Sequence, residues 1–323
     1  MTTKNKKLLV TRAFPKDVLA RANRDYGATL NPEDVNWNSD ELIARAKGHE
    51  AIMCSSSNEF TAAVVAALPD SVQIVATFSV GYEHIDIDAF KARRITVTNT
   101  PDVLSAATAD IAFMLLLCAS RRAMESERMV RTGQWTGWTP TQLLGRGLQG
   151  KSLGILGMGS IGSEVAARAR AFGMEIHYHN RSRLTADLEL GAVYHETPEK
   201  LLKVSEFLSL NCPMTEEMRG FINAERIELM PSNAVVVNSA RGGLIDDEAM
   251  IQALKSGRLF AAGLDVFDDE PNVNQGYWDL DNVFMTPHTG SATVETRNAM
   301  GFRALDNLDE YFTGKTPTDA LTA

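Results

Sequence analysis

The stretch LGILGMGSIGSEVAARARAFG, residues 153–173, constrains the fold more than any other part of this 323-residue chain. It holds Gly157, Gly159 and Gly162 in G-x-G-x-x-G spacing. The apolar run KSLGILG (151–157) before them reads as a strand, and Ile161, Val165, Ala169 and Phe172 then recur at helical spacing. Gly173 stands where a helix-ending C′ glycine belongs, and EIHYH (175–179) reads as the next strand. Three glycines at this spacing are weak evidence alone. Framed by strand, helix and strand they predict a dinucleotide-binding βαβ unit. Gly157 permits the tight turn, Gly159 lets backbone approach a pyrophosphate, and Gly162 lets helix pack on strand. Met158, Ser160 and Ile161 complete the loop and the helix start, whose free N–H groups and positive dipole end face the phosphates.

The flanking segments extend the pattern. KLLVT (7–11), AIMCS (51–55), VQIVATF (72–78) and ITVTN (95–99) read as strands, with helices from Pro15 to Ala22 and over TAAVVAAL (61–68). In 100–130, Ser105 stands where an N-cap residue would, and the pattern allows the helix to run past Arg122. A Gly- and Trp-bearing connection follows at 133–150, βα units continue to about residue 289, and one helix plus a tail ends the chain from Ala292. The expected class is therefore α/β, with parallel sheets covered by helices on both faces. The length suits two domains rather than one core.

Composition excludes several functions. A net charge of −9 disfavours non-specific binding to nucleic acid or to an anionic membrane. Cys54, Cys118 and Cys212 are odd in number, far apart and without a CxxC pair, so neither a disulfide framework nor a metal site is expected. A reducing, cytoplasmic location fits. MTTKNKKLLVT (1–11) has too short an apolar run for a signal peptide. The longest apolar run, IAFMLLLCA (111–119), is too short to span a bilayer and reads as a buried helix.

YHNRSR (178–183) lies at the end of the second strand of the glycine unit, where a carboxylate that accepts hydrogen bonds from the ribose hydroxyls of NAD is expected. Such a carboxylate also repels a 2′-phosphate, by roughly 4 kcal/mol at ~4 Å and an effective dielectric of ~20, an upper figure for a solvent-facing loop. Asn180 removes that repulsion, Arg181 and Arg183 add attraction and forked donors, and Ser182 adds a hydroxyl. The expectation is a site that prefers NADP(H), with NAD(H) possible.

Three later segments carry reactive side chains just past strands. VVVNSARGGLID (235–246) ends in Arg241, AAGLDVFDDEP (261–271) ends in an acidic cluster, and NVFMTPHTGSA (282–292) ends in His288. In open α/β sheets ligands bind beyond the carboxyl ends of strands, so the three can converge. The set suits reduction of a 2-oxo acid. Arg241 binds the substrate carboxylate and carbonyl oxygen, His288 gives a proton to that oxygen, and Glu270 orients the imidazolium. Asp268 and Asp269 compete with Glu270 for that last role.

On FSVGYEHID (78–86), LGILGMGSIG (153–162), LNCPMTEEMRG (210–220), VVVNSARGGLID (235–246), GLDVFDDEP (263–271) and PHTGSA (287–292), the chain resembles the D-isomer-specific 2-hydroxyacid dehydrogenase family over essentially its full length. RTGQWTGWTPTQLLG (131–145) and residues 272–292 carry a closer likeness to its glycerate dehydrogenases and glyoxylate/hydroxypyruvate reductases. The resemblance implies two doubly wound, Rossmann-like domains. A dinucleotide domain (101–289) is inserted into a substrate domain made of 1–100 and 290–323. It implies Arg241, Glu270 and His288 as the catalytic trio, and Val80 and Gly81 as backbone ligands of the substrate carboxylate. Cys212, Pro213, Ser239, Ala240, Arg241, Asp265, His288 and Gly290, within those motifs, join the residues expected around the dinucleotide. It also implies a homodimer with an arm at about 105–145. Asn180 departs from NAD-type members, which carry Asp there. Two alternatives stay open: an NAD-linked dehydrogenase of a larger D-2-hydroxy acid, and a dinucleotide-sensing corepressor-like binding protein.

Overall fold

The computed structural model describes residues 6–322. The first five residues of the segment read as no signal peptide, and Ala323 of the tail, lie outside the described residues. The chain divides into two compact units, Met1–Leu104 with Ser291–Ala323, and Ser105–Gly290.

The first unit begins with β1 (Leu8–Val10), α1 (Lys16–Tyr26), α2 (Ser39–Ala46), β2 (Ala51–Cys54), α3 (Ala62–Ala67), β3 (Ile74–Thr77), α4 (Ile87–Ala92) and β4 (Thr96–Thr98). The second runs through α5 (Ser105–Ser120), α6 (Ala123–Arg131), β5 (Ser152–Leu156), α7 (Ser160–Ala171), β6 (Glu175–His179) and α8 (Ala186–Glu189). It continues through β7 (Val193–Tyr194), α9 (Pro198–Val204), β8 (Phe207–Leu210), α10 (Ala224–Leu229), β9 (Ala234–Asn238), α11 (Asp247–Lys255), β10 (Leu259–Leu264) and β11 (Val283–Met285). The chain then returns to the first unit with α12 (Val294–Phe312).

Both sheets are parallel throughout, in the orders β1-β2-β3-β4 and β11-β10-β9-β8-β5-β6-β7. Strands such as β1, β2, β9 and β10 are apolar without alternation because both faces are buried, whereas β6 (EIHYH) alternates. In the smaller sheet Leu8, Val10, Met53 and Ile74 pack with Leu305 and Leu308 of α12, while Leu9, Ile52, Val75 and Val97 pack with Leu42, Val65 and Phe90. In the larger sheet Leu208, Val236 and Leu264 face Leu201, Ile227 and Met250, while Ile155, Tyr178 and Val237 face α5 and α7. These packed faces bear out the expected α/β class.

Two local readings need correction. The helix from Ser105 does not run past Arg122. It stops at Ser120, Arg122 adopts a left-handed φ of 53°, and α6 starts afresh. The cause is remote in sequence. The Arg146 N–H donates to the Ser120 carbonyl at 2.8 Å, and a Cβ on Gly145 would meet that oxygen at 2.4 Å, so a later loop caps α5. Ser105 is the first residue of α5 rather than its cap. The run 111–119 is a core helix, with Ala112, Phe113, Leu115, Leu116 and Ala119 buried. Among the described residues no helix is long and apolar enough to cross a membrane.

Candidate active site

The larger sheet reverses strand order at β5. The chain goes first to β6 and β7 on one side, then to β8, β9, β10 and β11 on the other. A crevice beyond the carboxyl ends at such a switch point is where open α/β sheets bind ligands. The glycine loop leaves β5 there. Gly157 has φ 92°, and a Cβ on it would lie 2.8 Å from the Cys212 nitrogen and 2.9 Å from the Asn211 carbonyl carbon. A Cβ on Gly162 would sit 2.3 Å from the Gly157 carbonyl oxygen. Gly159 caps α7, and a Cβ there would meet no protein atom within 4 Å. Two glycines are thus required by the protein's own packing, and the third borders open space. Met158 is buried, Ile161 is half-buried, and Gly159 and Ser160 are exposed.

Asn180, just past β6, closes onto this loop. Its Oδ1 accepts from the Met158 N–H at 2.6 Å, and its Nδ2 donates to the Met158 carbonyl at 3.2 Å. The next residues differ from expectation. Arg183 is engaged, its Nε and Nη2 donating to the two Glu189 oxygens at 2.8 and 3.1 Å. Arg181 and Ser182 are exposed and make no hydrogen bond among the described residues. The Arg183 hydrogen bonds and then the Tyr178 hydroxyl hold the Glu189 carboxyl down to about 2. The sequence offered no sign of Glu189, because the pairing depends on the fold of α8.

The neighbouring order β11-β10-β9 brings the three reactive segments side by side. Past β9, buried Asn238 shapes the turn that carries Ser239, Ala240 and Arg241. Its Oδ1 accepts from the Ala240 N–H at 3.0 Å and its Nδ2 donates to the Arg241 carbonyl at 2.8 Å. Arg241 Nη1 donates to the Ala240 carbonyl at 2.7 Å. Among the described residues, Ser239 Oγ is buried without a hydrogen-bond partner, as is Asn211 Oδ1 past β8, beside Cys212. Pro213, the next residue, is exposed.

Past β11, His288 has a left-handed φ of 52°. Asp265, buried at the end of β10, holds its loop in shape. Its carboxylate accepts from the Thr289 N–H (2.7 Å), the Gly290 N–H (2.8 Å) and the Thr286 hydroxyl (2.6 Å), and its carbonyl accepts from the His288 N–H (2.8 Å). Of the three candidate acids, Glu270 meets the imidazole, with Oε2 2.7 Å from His288 Nδ1, while Oε1 accepts from the Phe267 N–H at 2.9 Å. Asp268 instead faces Arg219 at 3.4 Å, and Asp269 accepts from Asn272. Burial pushes the Glu270 carboxyl up, but the His288 hydrogen bond and charge, the Phe267 N–H and the charge of Arg241 outweigh it, and the net shift is downward. A carboxylate on Nδ1 leaves Nε2 as the nitrogen that can hand a proton outward.

In the first unit, the loop of Val80 and Gly81 is tied by its carbonyls. The Asn99 side chain donates to the Val80 carbonyl at 2.8 Å and the Ser79 hydroxyl to the Gly81 carbonyl at 2.7 Å. Among the described residues the N–H groups of Val80 and Gly81 make no hydrogen bond. Two such donors suit a carboxylate. Among the described residues, no group of three or more His, Cys, Asp or Glu side chains is arranged to hold a metal ion.

Comparison with known proteins agrees with this architecture. Residues 113–290 match the family model for "D-isomer specific 2-hydroxyacid dehydrogenase, NAD binding domain". The chain is 43% identical to a glycerate dehydrogenase of Hyphomicrobium methylovorum over 98% of its own length and 99% of the relative's. It is 40% identical to a glyoxylate reductase of Pyrococcus furiosus, over 96% and 94%. A solved structure of an NADPH-dependent glyoxylate/hydroxypyruvate reductase from Sinorhizobium meliloti, in complex with NADP and malonate, superposes with a TM-score of 0.87 at 32% identity, covering 98% of this chain and 96% of that one. The chain belongs to the D-isomer-specific 2-hydroxyacid dehydrogenase family, and is an oxidoreductase of that type.

Proposed function

We propose that the protein reduces small 2-oxo acids, glyoxylate and hydroxypyruvate, to glycolate and D-glycerate, with NADPH preferred and NADH as a possible substitute. The observation that carries this reading is the His288–Glu270 pair at 2.7 Å, beyond the carboxyl ends of the sheet whose β5 bears the glycine loop. The names of the relatives, glycerate dehydrogenase and glyoxylate reductase, support the substrate class.

The residues present fit a dinucleotide. Open space at Gly159, the tight turn at Gly157 and the buried Ser239 hydroxyl, without a partner among the described residues, suit a close-lying pyrophosphate and its attached rings. The reading assigns residues 101–289 to the dinucleotide and residues 1–100 and 290–323 to substrate. Gly157–Gly162, Asn180–Arg183, Cys212, Pro213, Ser239, Ala240, Arg241, Asp265, His288 and Gly290 form the coenzyme set. When bound, the reduced nicotinamide supplies a hydride ion to the substrate's carbonyl carbon.

The chain's own residues do the rest. Arg241 offers a planar fork to the substrate carboxylate and polarises the carbonyl oxygen. Val80 and Gly81 are carboxylate ligands through their N–H groups. His288 delivers a proton from Nε2 to the carbonyl oxygen as negative charge develops there, and Glu270 fixes the ring and stabilises its charged form. Asp265 sets the backbone on which His288 rides. Arg181 and Ser182 receive a 2′-phosphate. A cytoplasmic location goes with this reading. So does a homodimer joined through the arm at 133–145, where Trp135 and Trp138 are 55% and 78% exposed. Sedimentation that finds an active monomer at assay concentration would remove the dimer.

The test of the reaction is direct. Hydroxypyruvate and NADPH should be consumed together, and chiral analysis of the product should return D-glycerate. L-Glycerate, or no turnover, would overturn the reading.

A further inference from the structure

We propose that Glu189 governs coenzyme choice without touching the coenzyme, by holding Arg183 as a strut so that Arg181, beside Ser182, is the arginine presented to the 2′-phosphate. The proposal rests on the NADPH reading above and names the device behind it. Glu189 ends α8 with its side chain only 8% exposed, an unusual place for a carboxylate unless it is paired. Arg183 occupies both of its oxygens, and the Tyr178 hydroxyl adds a third hydrogen bond to Oε1 at 2.6 Å. That hydroxyl also accepts from the Leu184 N–H at 3.0 Å, and Tyr178 is itself fully buried on β6. The Arg183 guanidinium lies over the Tyr194 ring, 5.8 Å from its centre.

The turn after β6 is therefore tied at both ends. Asn180 fastens it to the glycine loop through Met158, and Arg183 and Leu184 fasten it to Glu189 and Tyr178. Between the ties stand Arg181 and Ser182, exposed. A forked arginine–carboxylate pair is specific in geometry as well as strong, and so suits a strut. Pairs with one solvent-exposed partner add little net stability, and Arg183 is such a partner, so a role in orientation accounts better for an acid at this position. The charge balance points the same way. The Arg183 charge is offset by Glu189 at contact distance, while Arg181 makes no ion pair among the described residues.

A rival arrangement has Arg183 leave Glu189 and bind the phosphate. The two differ in sign. Releasing Arg183 by Glu189→Gln should strengthen NADPH selectivity if Arg183 is the phosphate ligand, and weaken it if Arg183 is the strut.

The experiment is a double-mutant cycle read as the ratio of kcat/KM for NADPH to that for NADH, at saturating 2-oxo acid, on wild type, Glu189→Gln, Arg183→Ala and the double variant, with Arg181→Ala alongside. Each single change in the pair should lower the ratio roughly 5- to 10-fold, and the double variant should be no worse than either single one. Arg181→Ala should lower it at least as far. General loosening of the fold lowers both kcat/KM values together and leaves the ratio alone. Should Glu189→Gln not fold, Arg183→Lys asks the same question at a side chain that is 63% exposed. It keeps the charge and loses the fork, so the ratio should drop as for Ala, and a retained ratio overturns the proposal. A Glu189→Gln ratio equal to or above that of the wild type also overturns it, as does a full further loss from Arg183→Ala in the Glu189→Gln background. A wild type without NADPH preference sinks the coenzyme reading, and this proposal with it. A wild type that prefers NADPH alongside any of the contrary cycle results sinks this proposal alone.

Discussion

Replacing Glu270 by Gln removes the charge facing His288 while keeping the shape of the side chain. The carboxylate stands 2.7 Å from Nδ1, with the histidine side chain 51% exposed and the glutamate 33%. Two unit charges at ~4 Å interact by roughly 1 kcal/mol in water and roughly 4 kcal/mol at an effective dielectric of ~20. Half-exposure of the imidazole keeps the pair near the lower figure, so about 1–2 kcal/mol of stabilisation of the protonated ring is lost. At a factor of ten per ~1.4 kcal/mol, kcat/KM for 2-oxo acid reduction should fall about 5- to 30-fold at neutral pH. Gln can still accept from the Phe267 N–H, so the turn should survive and the melting temperature should change little. The assay is the rate of glyoxylate reduction with NADPH at neutral pH, for wild type, Glu270→Gln, His288→Ala and the double variant. The double variant should match His288→Ala, which should itself be down roughly 10²-fold or more. A Glu270→Gln enzyme with wild-type kcat/KM would refute the reasoning. So would an equal further loss from Glu270→Gln in the His288→Ala background, since a positioning residue has nothing to position there.

The glycine loop and the His177–His195 pair yield two more expectations. Gly157→Ala forces a Cβ to within 2.8–2.9 Å of the backbone of residues 211–212 at a φ of 92°, and should cost about 1–3 kcal/mol in denaturant unfolding. Gly159→Ala meets nothing within 4 Å, so it should unfold like wild type yet lose coenzyme affinity in a fluorescence titration. Equal stability losses at both positions would contradict the assignment of open space to ligand. His177 Nδ1 and His195 Nε2 lie 3.0 Å apart, and burial lowers the pKa of both, with Glu175 opposing this at His177 and the facing His177, then His179 and Lys200, adding to it at His195. A base whose folded pKa is depressed contributes stability that is complete above its unfolded value, ~6.5, and is lost as pH falls below it. The melting temperature should drop between about pH 6.5 and 5, and His195→Gln should flatten that drop. An unchanged slope would refute it.

How far the sequence could be read depended on the range of the interactions involved. The glycine unit and the strand ends were legible because periodicity and glycine spacing are local. The position of Arg241 just past β9 and of His288 just past β11, with β10 between them, followed from the rule for parallel sheets. Helix α2 was overlooked although Asn38 and Glu41 announce it, each donating its backbone N–H to the other's side chain at 3.0 Å as a capping box. The break at Arg122 was not legible, since the loop that caps Ser120 comes from Gly145 and Arg146. Arg181 and Arg183 looked equivalent in NRSR, and only the fold of α8 brings Glu189 to one of them. Asn180 looked like a lost carboxylate. Its amide nitrogen donates to the Met158 carbonyl at 3.2 Å, so Asn180→Asp would set two oxygens against each other and disturb the glycine loop as well as the ribose site.

The measurement that bears most directly on the central claim is a steady-state panel of glyoxylate, hydroxypyruvate, pyruvate and a bulky aromatic 2-oxo acid, each with NADPH and with NADH. The account predicts the highest kcat/KM for glyoxylate and hydroxypyruvate with NADPH, and weaker rates with NADH that reflect a higher coenzyme KM rather than a lower kcat, because the 2′-phosphate contributes uniform binding far from the reacting carbon. A preference for the bulky acid, or equal or better kcat/KM with NADH, would contradict it.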